Sequence, residues 1–262
     1  MARKSLKNIF SLLDDSEPIE KQFLRDLQRS IELTDKKNKR VPSQTYKPSS
    51  MKCIRNMFYQ VTGTEQDESE TGYALIGICN SGSDIHERTQ QAVSEMKSNN
   101  IDCEYMNVAD FVTSRRLTDE IEIVGQSGME TKLYHKVYNM SFLCDGIIKY
   151  KNKYYILELK TESSSKFMNR NGVNPDHYNQ GIAYSLAFGL NEVIFVYINR
   201  DVLTMKAFMF RVDDSMRESL KEKILACNMY VDRNELPPKS TDLSKSTCTY
   251  CNYKARCERN EV

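Results

Sequence analysis

The chain has 262 residues, of which 40% are hydrophobic and 28% are charged, so it can bury a core and is not an intrinsically disordered protein. No stretch approaches the ~18 consecutive apolar residues that a membrane-spanning helix needs. The short apolar stretch near the N-terminus is broken by Ser11 and followed by two aspartates, which argues against a secretory signal peptide, and we expect a cytoplasmic protein. The formal net charge of +1 neither indicates nor excludes a nucleic-acid partner, because such binding follows local patches of charge.

The first 47 residues are interpreted as a helical lead-in and a linker. A helix is predicted over about residues 17–33, where apolar residues recur at helical spacing. The basic stretch at residues 35–40, followed by two prolines, indicates a linker or a surface loop. Two serines are then predicted to cap a helix that begins near Met51 and carries Cys53.

The next elements are predicted from short patterns. Residues 73–80 are apolar and form either a helix or a buried strand, which periodicity does not decide. Asp84 and Glu87 form a capping-box pattern, which predicts the start of a new helix with an apolar stripe. Residues 121–126 and 130–139 alternate around a glycine-containing turn and predict a β-hairpin.

The most informative segment is residues 142–161, which contains two strand patterns around a Lys-Asn dipeptide. A two-residue turn at this dipeptide would place Asp145 directly opposite Glu158. Lys160 lies two residues beyond Glu158 and therefore shares its face of the strand. The sequence thus predicts a hairpin that brings these three side chains together, provided that the turn has two residues.

The C-terminal half predicts further helices and strands. A polar loop over residues 162–175 precedes a helix that Asp176 is expected to cap. This helix carries Gln180 and Tyr184, which lie four residues apart and therefore on one face. Strands are predicted over residues 192–199 and 205–212, and a long amphipathic helix over residues 214–232. The pattern indicates an α/β fold with a mixed β-sheet flanked by helices.

Two carboxylates and a lysine on one strand face form the first candidate site. Burying Asp145, Glu158 and Lys160 without a function would be unfavourable. Carboxylate oxygens suit hard divalent cations such as Mg²⁺ or Mn²⁺, and a lysine beside such an ion can orient a water or stabilise charge that develops on a phosphate. The alternative is the solvated face of an exposed hairpin, on which glutamate and lysine simply alternate with apolar residues.

Histidine and cysteine patterns accompany this trio. His86 follows Gly82 in the pattern G-x3-H, and three cysteines have the spacing C-x2-C-x5-C near the C-terminus. Without a secretory signal, eight cysteines favour metal or cluster ligation over disulfides. Cysteine thiolates in such a group can hold a cluster or a metal ion such as Zn²⁺. Cys53 lies far upstream of them.

In their order along the chain, these motifs resemble those of the iron–sulfur exonucleases of the PD-(D/E)XK superfamily. The order is a cysteine, G-x3-H, D, E-x-K, Q-x3-Y and C-x2-C-x5-C, over about residues 48–257. This group includes CRISPR-associated Fe–S exonucleases, RecB-like nucleases such as the AddB nuclease domain, and phage and viral members. The resemblance implies a restriction-endonuclease-like nuclease domain over residues 48–262. Phe142 and Cys144 depart from a glycine and a proline that are frequent in the family, and neither position carries the chemistry.

The resemblance also implies a role for each motif residue. The ligands of Mg²⁺ or Mn²⁺ would be His86, Asp145, Glu158 and the backbone carbonyl of Leu159. Lys160 would be the catalytic lysine, and Gln180 and Tyr184 would support the site and the DNA backbone. The [4Fe–4S] cluster would be held by Cys53, Cys248, Cys251 and Cys257, and it would join the N-terminal helix to the C-terminal tail.

The activity that the resemblance implies is metal-dependent exonuclease action on single-stranded DNA ends, in DNA repair, recombination or replication. A helicase or a recombinase would be a natural partner. Two alternatives remain open, a DNA-end-binding adaptor subunit with a nuclease-like fold and a zinc-stabilised nucleic-acid-binding protein. Lys166 and Arg170 lie in a loop that is expected to follow the DNA backbone. His135 and His177 are expected to be structural, with substrate contact as the alternative for His177.

Overall fold

The computed structural model describes residues 17–38, 43–67, 71–241 and 243–261, without the side chains of Lys245 and Ser246. The helices are α1 (Ile19–Lys37), α2 (Ile54–Val61), α3 (Tyr73–Ser94), α4 (Val108–Ser114), α5 (Ser164–Met168), α6 (Tyr178–Phe188), α7 (Asp214–Asp232), α8 (Lys245–Thr249) and α9 (Lys254–Arg259). The strands are β1 (Cys103–Met106), β2 (Ile121–Ser127), β3 (Glu130–His135), β4 (Met140–Cys144), β5 (Gly146–Tyr150), β6 (Lys153–Glu162), β7 (Glu192–Asn199) and β8 (Met205–Arg211). None of the described helices is long and apolar enough to cross a membrane.

The chain divides into two compact units. The first contains Met1–Val41 and Ser69–Asn80, and within it Glu32 of α1 accepts a hydrogen bond from the backbone N–H of Tyr73 at 3.0 Å. The second contains both β-sheets and every residue of the predicted site. The helix predicted over residues 17–33 is confirmed as α1. The predicted signal-free N-terminus and the end of the basic linker lie outside the described residues, and the domain boundary after residue 47 stays a prediction.

A five-stranded mixed sheet forms the centre of the second unit, in the order β1-β5-β6-β7-β8. β6 and β7 are parallel, whereas the other neighbouring strands are antiparallel. β5 and β6 are joined by a two-residue turn in which both residues have positive φ, as a tight hairpin turn requires. Tyr150 pairs with Lys153, and the ladder continues to Gly146 opposite Leu157. The predicted register is therefore confirmed.

A second, antiparallel sheet contains β2, β3 and β4. β2 and β3 confirm the predicted hairpin, although its second strand ends at His135 rather than at residue 139. The first strand of the predicted 142–161 hairpin is divided between the two sheets, since β4 belongs to one sheet and β5 to the other. Asp145 is the single residue between these strands, so the chain changes sheets at this carboxylate.

Helices cover the central sheet and complete the core. α6 contacts β6 and β7, and it packs on α7, which in turn packs on α2. The buried side of α7 carries Leu220, Ile224 and Cys227, and α6 is buried on nearly every side because it lies between the sheet and α7. The prediction of a mixed sheet flanked by helices is confirmed.

Two predicted helix starts are wrong by a few residues. The helix expected near Met51 begins at Ile54, because a 3₁₀ turn precedes it and Cys53 occupies the N-cap. Asp176 lies in a second 3₁₀ turn, and His177 occupies the N-cap of α6 in its place. The proline before Asp176 favours this extra turn, since its fixed φ suits the first position of a helical turn.

The capping box predicted at Asp84 and Glu87 is also wrong. α3 is already helical from Tyr73, so these residues lie inside one helix and residues 73–80 are helical rather than a strand. The short elements β1, α4, α5, α8 and α9 were not predicted, because segments of four to seven residues carry little periodicity.

Candidate active site

Asp145 is held in place through both its backbone and its side chain. Its Oδ2 accepts a hydrogen bond from the backbone N–H of Leu159 at 2.6 Å. Its carbonyl oxygen accepts hydrogen bonds from the hydroxyl of Tyr105 at 2.6 Å and from the side chain of Gln90 at 2.7 Å. Because the N–H and C=O of one strand residue point to the same edge, the carbonyl of Leu159 also faces the side on which Asp145 lies.

Glu158, Lys160 and Gln180 form a closed hydrogen-bonded triangle. Lys160 Nζ donates to Glu158 Oε1 at 2.5 Å and to Gln180 Oε1 at 2.9 Å. Gln180 Nε2 donates to the same glutamate oxygen at 2.6 Å and to the hydroxyl of Tyr184 at 2.9 Å. The Tyr184 hydroxyl donates to the carbonyl of Leu143 at 2.7 Å. The triangle thus fixes the lysine with two of its three N–H donors and leaves the third for another partner.

Glu158 has one oxygen that no donor reaches. The residue is 2% exposed, and its Oε2 is buried without a hydrogen bond from the described residues. Burial raises the pKa of this carboxyl to about 7, although Lys160 acts in the opposite direction. A buried carboxylate oxygen without a donor is unfavourable unless a further group binds it, and a hard divalent cation is the partner that such an oxygen prefers.

His86, Glu130 and Asp145 each offer one donor atom, and these atoms lie within 4.8 Å of one another. The Nδ1 of His86 is 3.6 Å from Asp145 Oδ1. Burial acts to lower the pKa of His86, but the hydrogen bond to Asp145 and its negative charge raise it overall. Burial likewise acts to raise the pKa of Asp145, but His86 and the backbone N–H of Leu159 lower it overall. Burial and the charge of Asp145 raise the pKa of Glu130 to about 7.

Glu130 is the member of this group that the sequence did not predict. It is the first residue of β3, and the pairing of Thr131 with Cys144 in the β3–β4 ladder places Glu130 next to Asp145. The signal that could have revealed it is the four-residue loop between β3 and β4, from which the register can be counted back. The sequence prediction assigns residues 142–144 to the next hairpin only and therefore does not pair them with β3.

A cavity of about 530 Å³ is lined by all four cysteines that were predicted as ligands, Cys53, Cys248, Cys251 and Cys257. Asn56 donates a hydrogen bond to Cys251 Sγ at 3.5 Å, and Arg55 donates to Cys257 Sγ at 3.6 Å. The buried Arg55 also donates to the carbonyls of Pro237 and Cys257, at 2.7 and 3.0 Å. These contacts tie the start of α2 to the C-terminal segment.

Four cysteine thiolates are the ligand set both of a [4Fe–4S] cluster and of a tetrahedral zinc site. Cys103, Cys144 and Cys227 lie in the apolar core, where burial raises the pKa of each thiol.

Comparison with known proteins gives only distant similarities. No model of a known protein family matches the chain, and no curated protein matches it. The chain is similar to the crystal structure of SSO0001, with 14% identity and a TM-score of 0.48 over 89% of this chain and 96% of that chain. It is also similar to LHK-Exo, an alkaline exonuclease from Laribacter hongkongensis, with 11% identity and a TM-score of 0.46 over 74% of this chain and 90% of that chain. The complex of LHK-Exo with dAMP gives 11% identity and a TM-score of 0.41, over 73% and 89% of the two chains.

The structure brings most of the predicted site residues together. Asp145 contacts Leu159 and His86, and Glu158 contacts Lys160 and Gln180, while Tyr184 anchors Gln180. Glu158 is not a member of the group of three donors within 4.8 Å of one another, which consists of His86, Asp145 and Glu130. The catalytic and metal-binding roles of these residues stay predictions.

The predicted basic clusters are only partly available for a ligand. The guanidinium of Arg170 forms two hydrogen bonds with the buried Glu162, at 2.5 and 3.1 Å, and lies over the ring of Tyr197. The guanidinium of Arg259 is paired with Glu261 in the same way. These arginines therefore have carboxylate partners within the chain, whereas Lys166 is exposed and has none among the described residues.

Proposed function

We propose that the protein is a metal-dependent deoxyribonuclease of the PD-(D/E)XK type that hydrolyses phosphodiester bonds, as an exonuclease at single-stranded DNA ends. The observation that carries this proposal is the buried triangle of Glu158, Lys160 and Gln180, whose glutamate keeps one oxygen without a donor. A lysine beside a buried carboxylate oxygen that accepts no hydrogen bond suits a reaction in which a metal cation binds a phosphate group. We assign this activity to DNA repair, recombination or replication, with a helicase or a recombinase as partner.

The donor set fits a hard divalent cation. His86, Asp145, Glu158 and the carbonyl of Leu159 would hold Mg²⁺ or Mn²⁺, and Glu130 adds a further carboxylate beside Asp145. When bound, the cation supplies Lewis acidity that polarises the phosphate and lowers the pKa of a bound water. Oxygen donors with a single imidazole favour these metals over Zn²⁺ or Cu²⁺.

Lys160 would stabilise negative charge on the reacting phosphate or orient the attacking water. Two of its N–H groups are used by Glu158 and Gln180, so the third can donate to a phosphate oxygen or to the attacking water. Gln180 hydrogen-bonds both Lys160 and Glu158 and so fixes their relative positions, and Tyr184 holds Gln180 in place. The donors are thus set before substrate arrives, which is the arrangement that stabilises developing charge most effectively.

We also propose that Cys53, Cys248, Cys251 and Cys257 hold a structural [4Fe–4S] cluster, with Zn²⁺ as the alternative. The four thiols line one cavity, and two of them accept hydrogen bonds from Arg55 and Asn56. Anaerobic purification should give a brown protein whose visible absorbance is lost in Cys251→Ser but kept in Cys79→Ser, an exposed cysteine outside the cavity. A colourless protein that contains zinc would refute the cluster.

The nuclease proposal is tested with end-labelled single-stranded DNA and added Mg²⁺ or Mn²⁺. Lys160→Ala is expected to lose at least about a hundredfold in rate, as when one preorganised donor is removed from a transition state. The matched control is Lys153→Ala, which removes an exposed lysine from the same strand and should cut like the wild type. Binding of DNA without cutting by the wild type would favour the adaptor function, and equal cutting by Lys160→Ala would exclude this site.

A further inference from the structure

The cavity that contains the cysteines is also lined by basic residues. Its wall carries five lysines and arginines and two carboxylates, Asp176 and Glu258. None of the five, which include Lys52 and Lys166, has a carboxylate partner among the described residues. Unpaired cations around a cavity favour an anionic ligand.

His177 lies in the wall of this cavity and is held in one orientation. Its Nδ1 is 2.9 Å from the hydroxyl oxygen of Tyr197, and the same oxygen accepts a hydrogen bond from the backbone N–H of Asn174 at 2.9 Å. The imidazole is also stacked on the rings of Phe195 and Tyr197. The orientation is therefore fixed by β7 and by the loop before α6.

The hydrogen bond from Asn174 also fixes which nitrogen of His177 carries the proton. Tyr197 is fully buried, and the described residues offer its O–H no acceptor other than His177 Nδ1. The hydroxyl therefore donates to Nδ1, which places the ring proton of the neutral imidazole on Nε2. Burial and the positive charges of Lys160, Arg170, Lys52 and Lys166 lower the pKa of His177 to about 3, so the ring stays neutral at physiological pH.

We propose that His177 Nε2–H, Lys52 and Lys166 form a binding site for a backbone phosphate of the single DNA strand that enters the active site. His177 lies three residues before Gln180, about 4.5 Å along a helix axis, so the bound phosphate would be a neighbour of the scissile phosphate on the same strand. One fixed neutral donor and two lysine ammonium groups give a contact with phosphate that does not depend on base sequence. The assignment rests on the proposed nuclease function for the identity of the strand.

The test measures binding of a fluorescein-labelled oligothymidylate to the full chain by anisotropy, over a range of NaCl concentrations and without added Mg²⁺ or Mn²⁺. His177→Phe keeps the stacked ring and removes the donor, and it should weaken binding about tenfold or more, as expected for a hydrogen bond to a charged group. It should leave the dependence of log K on log[NaCl] unchanged, because a neutral ring releases no counterion.

The lysine pair should show the opposite signature. Lys52→Gln with Lys166→Gln should reduce the slope of log K against log[NaCl] by about 1.4, since each phosphate contact to a single strand contributes about 0.7. The matched control is Lys97→Gln with Lys153→Gln, which removes two exposed lysines paired with Glu104 and Glu192 and should leave the slope unchanged. These lysine variants also serve if His177→Phe fails to fold.

The outcomes separate this inference from the nuclease proposal. Equal slopes for the two lysine pairs, wild-type affinity in a folded His177→Phe, or no binding of the oligothymidylate by the wild type would each overturn the phosphate site. If the variants bind as expected but the wild type cuts nothing with either metal, the phosphate site stands and the nuclease proposal fails. If the wild type cuts and all variants bind alike, the nuclease proposal stands and the phosphate site fails.

Discussion

The charge of Glu130 is expected to destabilise the metal-free protein and to strengthen its binding of metal. Donor oxygens of Glu130 and Asp145 lie within 4.8 Å of each other. Two unit charges at that separation repel by about 3 kcal/mol at an effective dielectric constant of about 20. The rise in the pKa of Glu130 from 4.5 to about 7, caused first by burial and then by Asp145, corresponds to about 3 kcal/mol as well. Solvent screens part of this repulsion because Glu130 is partly exposed. We therefore expect Glu130→Gln to raise the free energy of unfolding of the metal-free protein by about 2 kcal/mol.

The gain should depend on pH with a definite sign. The folded-state pKa of Glu130 lies above the value of 4.5 in the unfolded chain, so the folded protein prefers the protonated form. Below about pH 4.5 Glu130 is protonated in both the folded and the unfolded protein, so it does not destabilise the fold. The free energy of unfolding then falls as the pH rises through about 7. Glutamine stays neutral throughout, so the difference between the two proteins should be largest near pH 8 and below about 1 kcal/mol near pH 5.

The assay is urea unfolding with a chelator at these two pH values, for the wild type, Glu130→Gln and Glu122→Gln. Glu122 is an exposed residue of the same hairpin, so its substitution controls for the general loss of one negative charge. In a separate titration, Glu130→Gln should bind Mn²⁺ about tenfold more weakly or worse, since a carboxylate near the ion is lost. A variant that is no more stable than the wild type near pH 8, or an equal gain in Glu122→Gln, would refute the placement of Glu130 beside Asp145.

Two further predictions concern residues around the lysine. The pKa of His177 is lowered to about 3 by burial first and then by Lys160, so its neutral form stabilises the fold above the ordinary value of 6.5, and this stability is lost as the pH falls. Between about pH 7 and 5, the free energy of unfolding in urea should therefore fall by about 1–2 kcal/mol more for the wild type than for His177→Phe. Equal losses in the two proteins would contradict the lowered pKa of His177. Tyr184→Phe removes a buried hydroxyl that bonds Gln180 and Leu143, and it should cost about 1–3 kcal/mol of unfolding free energy and lower the cutting rate, with Tyr250→Phe as an exposed control.

The part of the site that could be predicted from the sequence is the part that depends on local geometry. The register of the β5–β6 hairpin follows from its two-residue turn, so the facing positions of Asp145 and Glu158 needed no knowledge of the rest of the fold. The pairing of Gln180 with Tyr184 follows from helical spacing in the same way. In both cases the residues that interact are separated by fewer than fifteen positions, and one turn or one helix fixes their distance.

Residues brought in by distant segments could not be placed from local patterns. Placing Glu130 beside Asp145 requires the β3–β4 register together with the change of sheet at Asp145, and the change of sheet has no local signature in the sequence. The position of the proton on His177 depends on Tyr197, which lies in β7, 20 residues further along the chain. The start of α2 reaches the C-terminal segment only through tertiary contacts such as those of the buried Arg55, although the family resemblance implies that these two segments meet.

The change of sheet at Asp145 explains why the donors converge at this point. If β4 and β5 were one continuous strand, the backbone N–H and C=O of Leu159 would pair with that strand, as the ladder does up to Gly146. Because the chain leaves at Asp145, its carboxylate takes the Leu159 N–H instead, and the carbonyl on the same edge has no partner strand. The other sheet then delivers Glu130 from the opposite side.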